Sequence, residues 1–91
     1  MTTRTEILQE AERLITGDRQ DTYGDARAMH GRIAAYWAAH LDHPVSASDV
    51  AVMMVLLKLA RTKASPDHAD SYVDGVGYLA IAGELATEGA A

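Results

Sequence analysis

The sequence predicts an all-α fold, a four-helix bundle-like arrangement that is completed by homo-oligomerisation. Apolar residues recur at helical spacing through nearly all of the 91 residues. No stretch alternates apolar and polar residues in the manner of a half-buried strand. With 48% hydrophobic and 23% charged residues, the chain has enough apolar material for a core. Its length fits one helical domain over residues 1–91.

The first helix is predicted over residues 3–16. Its apolar residues lie on one stripe, and Thr3 with Glu6 has the spacing of a capping box. Gly17 is expected to end this helix in a left-handed turn.

The second helix is predicted over residues 25–41, with Asp25 as its N-cap. Pro44 disfavours helical geometry at His43 and so closes the segment. The inner face is expected to consist of apolar residues at helical spacing: Ala26, Met29, Ile33, Trp37 and Leu41, with Ala34 and Ala38 beside them.

The third helix is predicted over residues 47–64, and Ser46 with Asp49 again has capping-box spacing. Residues 50–57 are apolar on every side of this helix, so neighbours must cover most of it. Polar character returns only toward its end, at Lys58, Arg61 and Lys63.

The fourth helix is predicted over residues 67–87, with Ser65-Pro66 as its start signal. Three glycines lie inside it, and each costs about 1 kcal/mol relative to alanine. We expect close backbone approach to a neighbour at these glycines, Gly75, Gly77 and Gly83. The glycines and the apolar third helix together predict a homo-oligomer, the alternative being a monomer with the third helix at its centre.

Composition excludes several classes of function. The absence of cysteine excludes disulfides and cysteine-based zinc sites. The net charge of −5 argues against nucleic acid as a partner. The longest apolar run, residues 50–57, is too short to span a membrane, and the N-terminus has no apolar signal segment. These features predict a protein of the cytoplasm.

Charge is unevenly distributed along the chain. All eight Lys and Arg residues lie at or before Lys63, whereas Asp70 and Asp74 follow at i, i+4 spacing on one face of the fourth helix. Mg²⁺ would compensate two such carboxylates, as would Lys58 and Arg61 from the third helix. A simple salt-bridge cluster between helices or a solvated acidic face explains the same residues.

The loop over residues 17–25 provides a second candidate group. Arg19 has a planar guanidinium suited to phosphate, and Tyr23 offers a ring for stacking on a base. The alternative is an ordinary helix connection. Asp49 is assigned to the cap of the third helix, and the scattered histidines to structural roles.

Three blocks resemble a family of small, largely uncharacterised helical proteins of bacteriophages and prophages. They are Gly-Asp-Arg-Gln-Asp-Thr-Tyr-Gly-Asp at 17–25, Ser-Asp-Val-Ala-Val-Met-Met-Val-Leu-Leu-Lys-Leu-Ala-Arg at 48–61, and His-Ala-Asp-Ser-Tyr-Val-Asp-Gly-Val-Gly-Tyr at 68–78. That family looks distantly similar to the MazG-like all-α nucleotide pyrophosphohydrolases, which are oligomeric and use Mg²⁺. The resemblance to the phage family covers residues from about 7 to about 86.

The resemblance implies roles for the candidate residues. Asp70 and Asp74 would bind the metal, while Arg19, Lys58 and Arg61 would face phosphates. The chain departs from MazG-like enzymes because it lacks their Glu-x-x-Glu and Glu-x-x-Asp pairs on its central helices. Three functions therefore stay open: a Mg²⁺-dependent nucleoside triphosphate pyrophosphohydrolase, a non-catalytic protein that sequesters a signalling nucleotide, and a purely structural or interaction protein.

Overall fold

Four helices and one π-helical segment form the part of the protein that the computed structural model describes, residues 2–18 and 25–88. They are α1 (Arg4–Arg13), the π segment (Leu14–Asp18), α2 (Ala26–Leu41), α3 (Ala47–Ala64) and α4 (Ala69–Thr87). No strand occurs within these ranges. The predicted all-α, four-helix architecture is confirmed.

Side-chain caps fix three of the helix starts as predicted. Thr3 and Ser46 each form a complete capping box, with Glu6 and Asp49 as the respective third residues. Asp25 accepts a hydrogen bond from the Arg27 amide. These contacts satisfy backbone amides that have no partner within the helix.

The cap of α3 depends on an ionised carboxylate. The hydrogen bond donated by the Ser46 backbone amide lowers the pKa of the Asp49 carboxyl. Because the pKa is depressed in the folded state, this cap stabilises the fold above the ordinary aspartate pKa. The stabilisation is lost as the pH falls through the depressed value.

The pairing of α3 with α4 is the most extensive helix contact of the fold. Helix α1 packs against α4, and α2 packs against α3. The buried hydrophobic residues of the described ranges are mostly small, and four of the seven are alanine: Ala11, Ala34, Val50, Ala51, Val73, Ile81 and Ala82. Small side chains allow the helices to approach closely, but they bury little apolar area.

The first helix does not end as predicted. Gly17 lies in the π segment and does not adopt a left-handed conformation. The Thr16 hydroxyl donates to the Glu12 carbonyl at 2.6 Å, which bonds a side chain back onto the preceding turn. The helix therefore continues as a π-helical turn instead of ending at Gly17. This turn brings Ile15 against the core formed with α4.

Two further predictions about the helices were wrong. Ser65 is the C-cap of α3, and its amide donates to the Arg61 carbonyl at 2.9 Å, so Ser65-Pro66 does not begin the next helix. Helix α4 begins at Ala69 after a turn.

The prediction that Leu41 lies on the inner face of α2 was also wrong. Leu41 is 56% exposed because α2 ends there, with Asp42 in a left-handed conformation that turns the chain away.

His30 has the structural role expected of a lone helical histidine. It is 6% exposed, and its Nδ1 donates to the Ala26 carbonyl at 2.8 Å. Its ring meets Tyr78 of α4 edge-on, with centroids 6.1 Å apart. His30 therefore ties α2 to α4 inside the fold.

The glycines of α4 meet three different environments. A Cβ at Gly77 would lie 3.0 Å from Ile15, so the predicted close approach is confirmed there. At Gly75 a Cβ would lie 3.6 Å from the Lys58 Cβ, an ordinary contact. At Gly83 no atom of the described chain lies within 4 Å, so no close approach occurs there within one chain.

Alanine at Gly77 and at Gly83 should therefore have different effects. Gly83→Ala should stabilise the protein by about 0.5–1 kcal/mol, because helix propensity improves in open space. Gly77→Ala has the same propensity gain, but crowding against Ile15 should cost about 1–3 kcal/mol. Thermal or urea unfolding of the two variants measures the difference, and equal stabilisation by both would show that Ile15 does not pack against α4.

Candidate functional site

Lys58 and Asp74 form an ion pair between α3 and α4. The Lys58 Nζ lies 3.2 Å from the Asp74 Oδ2, and the side chains are only 18% and 15% exposed. The absent side chain at Gly75 leaves the Lys58 stem lying directly beside α4. The structure therefore brings together one of the two predicted basic residues and one of the two predicted aspartates.

Asp70 does not join this ion pair. Its side chain is 81% exposed, and its carboxylate lies 3.7 Å from the Nε2 of His68. The i, i+4 spacing was expected to place Asp70 and Asp74 in one cluster. Helix α4 begins at Ala69, one residue before Asp70, so Asp70 lies in the open first turn while Asp74 reaches α3.

A surface cavity lies where α3 ends and α4 begins. We call it the junction cavity; its volume is about 260 Å³, and it is lined by Arg61, Ala64, Ser65, His68 and Ser71. It lies next to the ion pair, because Arg61 follows Lys58 by one turn of α3 and Ser71 precedes Asp74 by one turn of α4.

Positive charge and hydroxyl groups dominate the polar lining of the junction cavity. Arg61 is exposed, and within residues 2–18 and 25–88 it forms no ion pair. Ser71 is 3% exposed, so it forms the floor. Helix α4 starts here without a side-chain cap, unlike the other three helices, so the amides of its first turn face no capping side chain.

The remaining predicted site residues are only partly accounted for. Arg19 and Tyr23 lie outside the described residues. In the described part of the chain, no three His, Asp or Glu side chains come close enough together to hold a metal ion. A role for Asp70 and Asp74 in binding Mg²⁺ stays a prediction.

Sequence reasoning did not single out Ser65, His68 and Ser71 as site residues. Ser65 was assigned to a helix start, and His68 to a structural role. The sequence signal that could have indicated this site was the group of polar residues on both sides of Pro66. Only the placement of that turn between two antiparallel helix ends brings them around one cavity with Arg61.

The fold is that of a small all-helical protein. Its junction cavity is lined by a guanidinium, an imidazole and hydroxyl groups, which can donate hydrogen bonds to an anion. The chain belongs to a family described as a domain of unknown function, DUF6378, whose model matches residues 6–86. The predicted membership in a family of small phage proteins is confirmed by its relatives. No solved structure matches the chain.

Two of these relatives are phage proteins. The chain is 43% identical over 72 residues to the Gene 55 protein of Mycobacterium phage D29, covering 79% of this chain and 48% of the relative. It is 45% identical over 76 residues to the Gene 55 protein of Mycobacterium phage L5, covering 82% and 49%. The chain thus spans about half the length of these curated relatives.

None of the described helices combines the length and the apolar character needed to cross a membrane.

The Lys58–Asp74 ion pair should contribute to stability. Lys58→Met keeps the aliphatic stem but removes the cation that lies 3.2 Å from the mostly buried Asp74 carboxylate, which should cost about 1.5–3 kcal/mol. Arg27→Met is the matched control, because the Arg27–Glu88 pair is 3.0 Å long but about half exposed on both sides. Urea unfolding at neutral pH measures both, and equal effects would show that the Lys58 pair is solvent-screened.

Proposed function

We propose that this protein binds a nucleotide or another phosphorylated small molecule, with a phosphate group in the junction cavity. The observation that carries the proposal is Arg61, a cation without an ion pair in the described ranges, beside two hydroxyl groups and an imidazole in one cavity. We infer that the ligand is bound in the cytoplasm of a bacterial host.

Each lining residue would recognise a different part of a phosphate. The Arg61 guanidinium can donate two parallel hydrogen bonds to phosphate oxygens. Ser65 and Ser71 supply hydroxyl donors, and the His68 imidazole supplies a ring N–H donor. Lys58 would contribute mainly through its ion pair, by holding α3 and α4 at the correct spacing.

The size of the cavity limits which part of a ligand it holds. Whole small-molecule ligands occupy about 300–1,000 Å³, so 260 Å³ suits a phosphate or diphosphate rather than an entire nucleotide. The base and sugar would lie outside the cavity. Tyr23, expected to stack on a base, and Arg19, expected to face a phosphate, are our proposed further contacts, and both lie outside the described residues.

We favour binding over hydrolysis. A Mg²⁺-dependent pyrophosphohydrolase, the activity implied by the resemblance to MazG-like enzymes, would use Asp70 and Asp74 as metal ligands. Asp74 already pairs with Lys58, and Asp70 is turned toward solvent beside His68. Sequestration of a nucleotide needs only the anion contacts.

The proposal includes self-association of the chain. Ten large apolar residues of the described chain are at least 40% exposed, and half of them lie on α3: Val52, Met53, Leu56, Leu57 and Leu59. Contiguous exposed apolar surface of this kind marks interfaces in proteins.

Binding is tested by calorimetric titration with ATP, dGTP, a cyclic dinucleotide and inorganic pyrophosphate, each with and without Mg²⁺. At least one should bind, and Arg61→Gln should weaken that binding at least about tenfold, because a charged hydrogen bond is lost. Arg4→Gln is the control, since it removes the same charge from the exposed start of α1.

Chromatography of the ligand after incubation separates the two modes of action. Unchanged nucleotide supports sequestration, while release of monophosphate and pyrophosphate would support hydrolysis. Absence of binding to every probe, or equal loss in Arg61→Gln and Arg4→Gln, would contradict a ligand in the junction cavity.

A further inference from the structure

Helix α3 has an apolar outer face. On the side turned away from α4, the residues between its two ends are Val52, Met53, Leu56, Leu59 and Ala60, all exposed. The only charged residue between Asp49 and Arg61 is Lys58, and its side chain points inward to Asp74. A helix in contact with water normally has the opposite polarity.

The core of a single chain is too poor to explain this distribution. Val50 is the largest fully buried side chain, and most other buried hydrophobic residues are alanine. The leucines at 56, 57 and 59 are 44–58% exposed. Burial of bulky apolar side chains drives folding, so a group of them exposed on one helix face indicates an interface.

Charge at the two ends of this face indicates what covers it. Asp49 and Lys63 are both exposed, and they lie seven residues on either side of Leu56. Seven residues correspond to about 10 Å along a helix. Each α3 therefore carries one negative and one positive group at equal distances from its central leucine, on the same outer side.

We propose that a second copy of this chain covers the outer face of α3, with the two α3 helices antiparallel across a two-fold axis at Leu56. This inference rests on the proposed self-association and specifies the face and direction. Asp49 of each copy meets Lys63 of the other, while Met53 meets Leu59 and Val52 meets Ala60.

The charges favour the antiparallel direction specifically. A parallel pair would place Asp49 against Asp49 and Lys63 against Lys63, and like charges repel. The Asp49 carboxyl, whose pKa is lowered by its bond to Ser46, stays negative at neutral pH. An interface in which the same surface patch faces itself is the usual geometry of two-fold dimers.

Sedimentation equilibrium of matched variants tests the face. Leu56→Glu would place two carboxylates at the axis, and it should weaken the dimer at least about thirtyfold, as expected for a central interface residue. Leu79→Glu on α4 is the control, because Leu79 and Leu56 are both 57% exposed. The wild type and Leu79→Glu should be dimers in the same concentration range.

Cysteine cross-linking tests the direction and does not depend on the folding of Leu56→Glu. The chain contains no cysteine, so introduced thiols react alone. Mixing Met53→Cys protein with Leu59→Cys protein and a short bismaleimide should give mainly the mixed dimer. Products that join two Met53→Cys chains, if they predominate, would overturn the antiparallel arrangement.

The outcomes separate this inference from self-association in general. A dimer that persists in Leu56→Glu, together with absence of mixed cross-links, would overturn the α3 interface but leave self-association through another face. A wild-type chain that is monomeric at every concentration would overturn both. Neither result bears on ligand binding at Arg61, which the calorimetric titration tests separately.

Discussion

Helix α3 carries apolar residues around nearly its whole circumference, and the chain has helices to cover only part of it. Ala51 packs against Ile81 and Ala82 of α4, and both Ala51 and the neighbouring Val50 are fully buried. The opposite side keeps its leucines and Met53 in contact with solvent. This imbalance makes α3 the element on which both the fold and the proposed assembly depend, since its inner side packs in the bundle and its outer side is the surface that we propose a second copy covers.

The Lys58–Asp74 ion pair joins α3 and α4 about one helical turn from the residues that line the junction cavity. An ion pair of this kind contributes through geometry as much as through energy, because desolvation offsets much of the attraction. With the pair fixed, Arg61 and Ser71 lie one turn further toward the helix ends and face the same cavity. Lys58 thus supports the proposed phosphate site without itself being free to contact a ligand.

Local chemistry made much of the fold predictable. Capping boxes at Thr3 and Ser46 mark helix starts because only a few side chains satisfy free amides at that spacing. The failures occurred where a second element decides the outcome. The π segment forms where Ile15 contacts α4, and Ser65 closes α3 instead of opening α4. Neither choice is encoded by neighbouring residues alone.

The candidate site was less predictable for the same reason. Spacing places Asp70 and Asp74 on one helical face, but it does not reveal that the first turn of α4 is open while the second packs on α3. The junction cavity combines residues from two helix ends and a turn. Its lining depends on where the turn falls, and Ser65-Pro66 was interpreted as a helix start rather than as part of that turn.

The most direct test of the central claim, that folding of this chain is coupled to covering the outer face of α3, is thermal unfolding as a function of protein concentration. If the folded chain is an obligate dimer, the Tm should rise by several degrees over an about hundredfold increase in concentration, because association stabilises the native state by mass action. A reversible Tm that stays constant across that range would contradict the claim.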